Sequence, residues 1–148
     1  LGALDAWLVI RGIKTLPLRM EQHQKNAFAI AKWLQEQPRV QYVLYPGLEN
    51  HPGYVINKAQ TTGMISFAVD SAETARQILE GVKLIKFAES LGGTESLITY
   101  PIRQTHTDLT AEECAEKGIT DCLLRFSTGI EATQDLIDDL AQAFAAVE

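Results

Sequence analysis

Arg125 stands inside the run Leu123-Leu124-Arg125-Phe126-Ser127, a cation in a segment that otherwise reads as a buried strand. Guanidinium groups in such places are rarely left unpaired, so this one must meet a carboxylate, either from one of the chain's 19 acids or from a ligand. A fixed planar fork offering bidentate geometry is the natural receptor for an α-carboxylate. A second polar segment runs Phe87-Ala88-Glu89-Ser90-Leu91-Gly92-Gly93-Thr94-Glu95-Ser96-Leu97. Its glycine pair lets the backbone turn tightly and lets a ligand approach the main chain, with hydroxyls and two carboxylates alongside; an ordinary turn between strands uses the same residues. No lysine and helix follow it as a phosphate loop requires. The third segment, Arg103-Gln104-Thr105-His106-Thr107-Asp108, reads as a polar loop with Thr or Asp capping, and His106 has no cysteine at catalytic spacing.

Composition removes several other chemistries. Cys114 and Cys122 lie eight apart, and His23, His51 and His106 are remote from one another, so no metal-ligand spacing results and no metal is expected. The two cysteines read as reduced thiols packed as small hydrophobes. A formal charge of -6 with no basic tract gives no reason to approach nucleic acid or an anionic membrane. No apolar run approaches the roughly 20 residues that span a bilayer, and Leu1-Gly2-Ala3 is not the basic opening of a signal peptide, so a cytoplasmic location is expected. Because the chain opens on Leu1 and runs at once into an amphipathic pattern, it reads as a piece of something longer.

The 148 residues, 46% of them hydrophobic, are enough for one domain with a substantial core. Residues 4–14 are apolar nearly all round, which suits a helix packed on more than one side. After Pro17, a stripe of Leu16, Met20, Ala27, Ile30, Ala31 and Leu34 marks the longest helix, stopped by Pro38. A strand is expected over 40–45, then a polar, helix-compatible connection, a strand over 64–69, and a helix over 72–81 capped from Asp70-Ser71. Short strands at 84–87 and 97–100 flank the glycine loop. A helix over 110–117 ends at Gly118, a buried strand follows at 122–127, and Thr133 is expected to cap a last amphipathic helix. Strands this short, with several connections too short for crossover helices, predict an α+β fold: two layers, a mostly antiparallel sheet with helices on one face, preceded by a helical segment.

Several motifs in order resemble one family. Asp5-Ala6-Trp7-Leu8, Arg11 through Met20, Tyr45-Pro46-Gly47, His51-Pro52, Ala88-Glu89-Ser90-Leu91-Gly92-Gly93 with Glu95-Ser96-Leu97, Thr105-His106, and Leu124-Arg125-Phe126-Ser127 with Gly129-Ile130-Glu131 are similar to the C-terminal part of the Cys/Met-metabolism pyridoxal-phosphate enzymes. That family includes cystathionine γ-synthase, cystathionine γ- and β-lyases, methionine γ-lyase and O-acetylhomoserine sulfhydrylase. The resemblance covers the chain from end to end.

It implies that residues 1–148 form the small substrate-binding C-terminal domain of a fold-type I enzyme whose pyridoxal 5'-phosphate domain lies upstream, outside this chain. Arg125 matches the arginine that binds the substrate α-carboxylate, helped by Ser90. Thr105 matches a threonine supporting that region, and Glu89 a position near the distal end of the substrate. The family's Schiff-base lysine lies upstream, and none of the seven lysines here matches it. The chain alone is therefore expected to bind no cofactor and to be inactive, with chemistry supplied by the cofactor in the full-length enzyme. Expected partners are a small amino-acid substrate (a homoserine ester, cysteine or cystathionine), the upstream domain, and further copies in a homotetramer. The Glu89 segment and Ile98-Thr99-Tyr100-Pro101 resemble the γ-synthase and O-acetylhomoserine sulfhydrylase branch; the alternatives are a γ- or β-lyase, or a stand-alone amino-acid-binding or assembly module.

Overall fold

The computed structural model describes residues 1–54 and 62–147, so the connection expected after Gly47 lies partly outside the described residues. Five strands, β1 (Val40–Leu44), β2 (Met64–Val69), β3 (Lys86–Phe87), β4 (Leu97–Thr99) and β5 (Leu123–Ser127), form one sheet in the order β1-β2-β5-β4-β3. All pairings are antiparallel except β3 with β4. β5 is central, and Arg125 lies opposite Ser66 on β2 and Thr99 on β4. The two-residue side-chain period splits the faces. Leu124 and Phe126, with Ile65, Phe67 and Ile98, enter the main core. Leu123, Arg125, Ser127 and Thr99 fall on the opposite face.

Helices α2 (Leu16–Gln35), α3 (Ala72–Gly81) and α5 (Thr133–Ala145) supply the rest of the main core. On α2 the helical stripe is buried from Ala27 through Ile30, Ala31 and Leu34. The expected stripe begins too early, since Leu16 is exposed and Met20 is only partly buried. Ser71 caps α3 by accepting from the Thr74 amide at 3.0 Å. Thr133 does not cap α5: the cap position is Ala132, and the Thr133 hydroxyl donates instead to Asn26 Oδ1 on α2 at 2.6 Å. Trp33 and Phe144 close the far end edge-to-face, 5.6 Å between ring centres.

β3 is shorter than the strand expected over 84–87, and Asp139 is the cause. This α5 carboxylate, 7% exposed, accepts from the amides of Lys83, Leu84 and Ile85 at 2.9, 3.0 and 2.9 Å. Amides committed to a carboxylate cannot join a ladder. On the Arg125 side of the sheet, α4 (Ala111–Glu116) supports a second small cluster of Cys114, Ile119 and Leu123. Its start is a capping box: Thr110 N–H donates to Glu113 at 2.8 Å, and Glu113 N–H to the Thr110 hydroxyl at 3.2 Å.

Helix α1 (Ala3–Ile13) has no buried residue. Leu4, Trp7, Leu8, Ile10 and Ile13 are each more than half exposed, so the expected packing on several sides is not supplied by the described residues. Among these residues no helix is long and apolar enough to cross a membrane.

Two outcomes are expected from these contacts. Asp139→Ala leaves three amides without their acceptor and should destabilise the fold by about 3 kcal/mol, read as a lower urea midpoint at unchanged m-value; Asp139→Asn, which keeps one acceptor oxygen, should lose less. The Thr110 backbone amide holds the Glu113 carboxyl below its ordinary value. A depressed carboxyl stabilises fully above its unfolded pKa and loses that contribution as pH falls through the folded one. Amide exchange in α4 should therefore quicken in acid below the ordinary carboxylate range, and Glu113→Gln should flatten that dependence.

Candidate functional site

The half-buried Arg125 side chain makes one hydrogen bond, from Nη2 to Thr99 Oγ1 at 3.4 Å. Its Nε is buried and has no partner. The ion pairs among the described residues join Arg39 to Asp70 and Arg76 to Glu73 and Glu80, so no described carboxylate answers this guanidinium. Of the two partners that the sequence leaves open, an internal acid is not what the structure holds. Arginine keeps its charge at any accessible pH, and the surface here presents a positive fork with an unsatisfied buried donor.

The glycine loop is fastened beside that fork at both ends. Upstream of Glu89 and Ser90, the Ala88 carbonyl accepts from the Thr99 hydroxyl at 2.9 Å, and the Ala88 amide donates to Ile98 at 3.1 Å. Downstream, the Gly92 amide donates to Ser127 Oγ at 2.9 Å. Gly92 has φ +74°, a left-handed conformation that favours glycine. Thr99 and Ser127 are the cross-strand and same-strand neighbours of Arg125 on its face. The exposed Glu89 and Ser90 are thus carried on a short arch whose feet stand next to the arginine.

Thr105 is placed differently. Its hydroxyl contacts His106 Nδ1 at 2.7 Å and the Pro101 carbonyl at 3.5 Å, at the end of the short 3-10 turn Pro101–Arg103. The hydroxyl that touches Arg125 belongs to Thr99. Sequence reasoning passed over Thr99 because threonine is an ordinary strand residue, and only the register reveals its role.

A buried latch after β5 sets where the strand stops. The Ser96 hydroxyl accepts from the Gly129 amide at 2.8 Å and donates to Glu131 at 2.9 Å, while the Ser96 amide donates to the other Glu131 oxygen at 2.6 Å. From α2, Asn26 donates to the carbonyls of Gly129 and Glu131 at 3.0 and 2.9 Å. His23 Nδ1 lies 2.6 Å from the Thr128 carbonyl, which can only accept, so that nitrogen carries the proton. A Cβ at Gly129 would run into the Glu131 carboxylate and the Thr94 carbonyl. His23 and Asn26 could have been found from sequence: they sit on the same face as Ala27 and Ile30, where a polar residue has to meet buried partners.

The chain is similar to known proteins over nearly its whole length. The model of the Cys/Met metabolism PLP-dependent enzymes matches residues 1–145, and the chain belongs to that family. It is 52% identical to cystathionine γ-synthase of Haemophilus influenzae over 145 residues, 98% of this chain and 36% of that protein. The structure of cystathionine γ-lyase from Lactobacillus plantarum complexed with L-serine superposes with a TM-score of 0.92 at 39% identity, covering 99% of this chain and 39% of that one. An O-acetylhomoserine (thiol)-lyase structure from Campylobacter jejuni, which carries a pyridoxyl-lysine phosphate, also gives 0.92 at 36% identity, over 97% of this chain and 35% of that one. The chain thus spans little more than a third of the length of these relatives.

The family depends on pyridoxal phosphate, whose Schiff base needs a lysine amine, and among the described residues the Arg125 face of the sheet carries none. The one lysine on the strands of the sheet is Lys86 on edge strand β3, and its Nζ donates to the Lys83 carbonyl at 3.2 Å. A guanidinium fork with neutral neighbours fits a carboxylate. Gly129→Ala should break the latch, destabilising by roughly 2–4 kcal/mol as an overpacked buried site does, with faster amide exchange at Ser96 and Ile130 as the local signature.

Proposed function

We propose that this chain is the substrate-gripping C-terminal domain of a pyridoxal-phosphate-dependent enzyme of cysteine and methionine metabolism, of the cystathionine γ-synthase or O-acetylhomoserine sulfhydrylase type. Arg125 holds the α-carboxylate of the amino-acid substrate and Ser90 on the arch assists. Glu89 stands toward the distal end of the substrate, and Thr105 supports the region from the loop after β4. The observation that carries this reading is the half-buried guanidinium with an orphaned Nε and no described acid beside it. A fixed carboxylate grip contributes orientation: it sets which bond of the substrate faces the reacting group, and proton transfer is left to other residues. The cofactor, when bound in the upstream domain, supplies the electron sink.

The bare apolar face of α1 supports docking onto the chain's own upstream domain within an oligomer, because exposed apolar surface of this extent marks an interaction site.

In the full-length protein, Arg125→Ala should lower kcat/KM for the amino-acid substrate by on the order of 100-fold or more, as loss of a charge-assisted bidentate contact does. Arg125→Lys should recover only part, since an ammonium keeps the charge without the fork. An Arg125→Ala enzyme with parental kcat/KM would remove the proposal.

A further inference from the structure

We infer that Thr99 is the positioning residue of the carboxylate fork, aiming Arg125 through a neutral acceptor and tying it to the arch that carries Ser90. The inference rests on the reading of Arg125 given above and adds a residue to it. Thr99 is 1% exposed and sits directly opposite Arg125 in the β4–β5 register. Its hydroxyl has a single hydrogen, and that hydrogen is donated to the Ala88 carbonyl at 2.9 Å. What it turns toward Arg125 Nη2, at 3.4 Å, is therefore a lone pair. A β-branched side chain packed on all sides has little χ1 freedom, so the direction of that lone pair is set by the fold.

The contact steers one arm of the fork, Nη2, and leaves Nη1 without a hydrogen bond to the described residues, so that arm remains for a ligand. The acceptor is uncharged, so it holds the guanidinium in place and leaves its charge for the ligand's carboxylate. Through one oxygen atom the fork is also joined to Ala88, one residue before Glu89 and two before Ser90, so the cation and the arch keep a common position.

The test is made in the full-length protein with two competitive ligands, L-norleucine and n-pentylamine, which differ by the carboxylate alone. Thr99→Val keeps the shape and removes the hydroxyl. It should weaken L-norleucine about 10-fold, within the range of coupling between contacting groups, and leave n-pentylamine unchanged. Thr99→Ser, which keeps the hydroxyl and loses the β-branch, should restore most of the lost affinity for L-norleucine. Placed on Arg125→Ala, Thr99→Val should add less than about 2-fold, because the residue acts through the arginine. Equal weakening of both ligands, or a full additional loss on Arg125→Ala, overturns the positioning role while leaving Arg125 as the carboxylate receptor. An unchanged L-norleucine constant in Arg125→Ala alone overturns the receptor itself and this inference with it. If Thr99→Val does not fold, Thr99→Ala takes its place, and the same ratio of the two ligand constants decides.

Discussion

A cation on the central strand of a sheet is costly unless something compensates it, and the organisation of this chain follows from how Arg125 is treated. β5 is bounded on both sides, so the guanidinium cannot escape to an edge. Its neighbours in register are Ser66 and Thr99, both neutral. An acid at either position would have neutralised the group within the chain. With none described, the fold carries a buried Nε donor that no described residue satisfies. Buried polar groups without partners are uncommon in native proteins, and each calls for a cause such as a ligand.

The surrounding bonds make that site rigid. Thr99 and Ser127 hold the two feet of the arch over 88–92, and the latch of Ser96, Gly129 and Glu131 holds the return of the same loop. His23 and Asn26 on α2 brace the latch from the core side. Asp139 performs a similar service at the other end of β3, fixing the loop that leads into it. A carboxylate receptor gains by such bracing, because a fork already in position loses less freedom when its ligand arrives.

Much of this was legible in the sequence, for local reasons. The α+β layers, the mostly antiparallel sheet and the strand around Arg125 follow from hydrophobic period and short connections, and Arg125 was conspicuous because a cation breaks an apolar run. What escaped was long-range. Thr133 has the composition of a cap, but its hydroxyl is drawn to Asn26, 107 residues away in sequence. The extra residues expected in β3 are lost to a carboxylate on the last helix. Thr99 was invisible as a partner of Arg125 because their adjacency exists only in the register. The resemblance to a known family supplied Ser90, Glu89 and Thr105, which composition and spacing alone do not distinguish from loop residues.

Helix α1 buries none of its residues and Arg125 Nε finds no partner among the described residues. A structure of the full-length protein with a bound amino acid tests this most directly. The expected result is the ligand's α-carboxylate on the Arg125 fork, with the Thr99 contact retained. An upstream acid paired with Arg125 Nε, and the carboxylate held elsewhere, would contradict it.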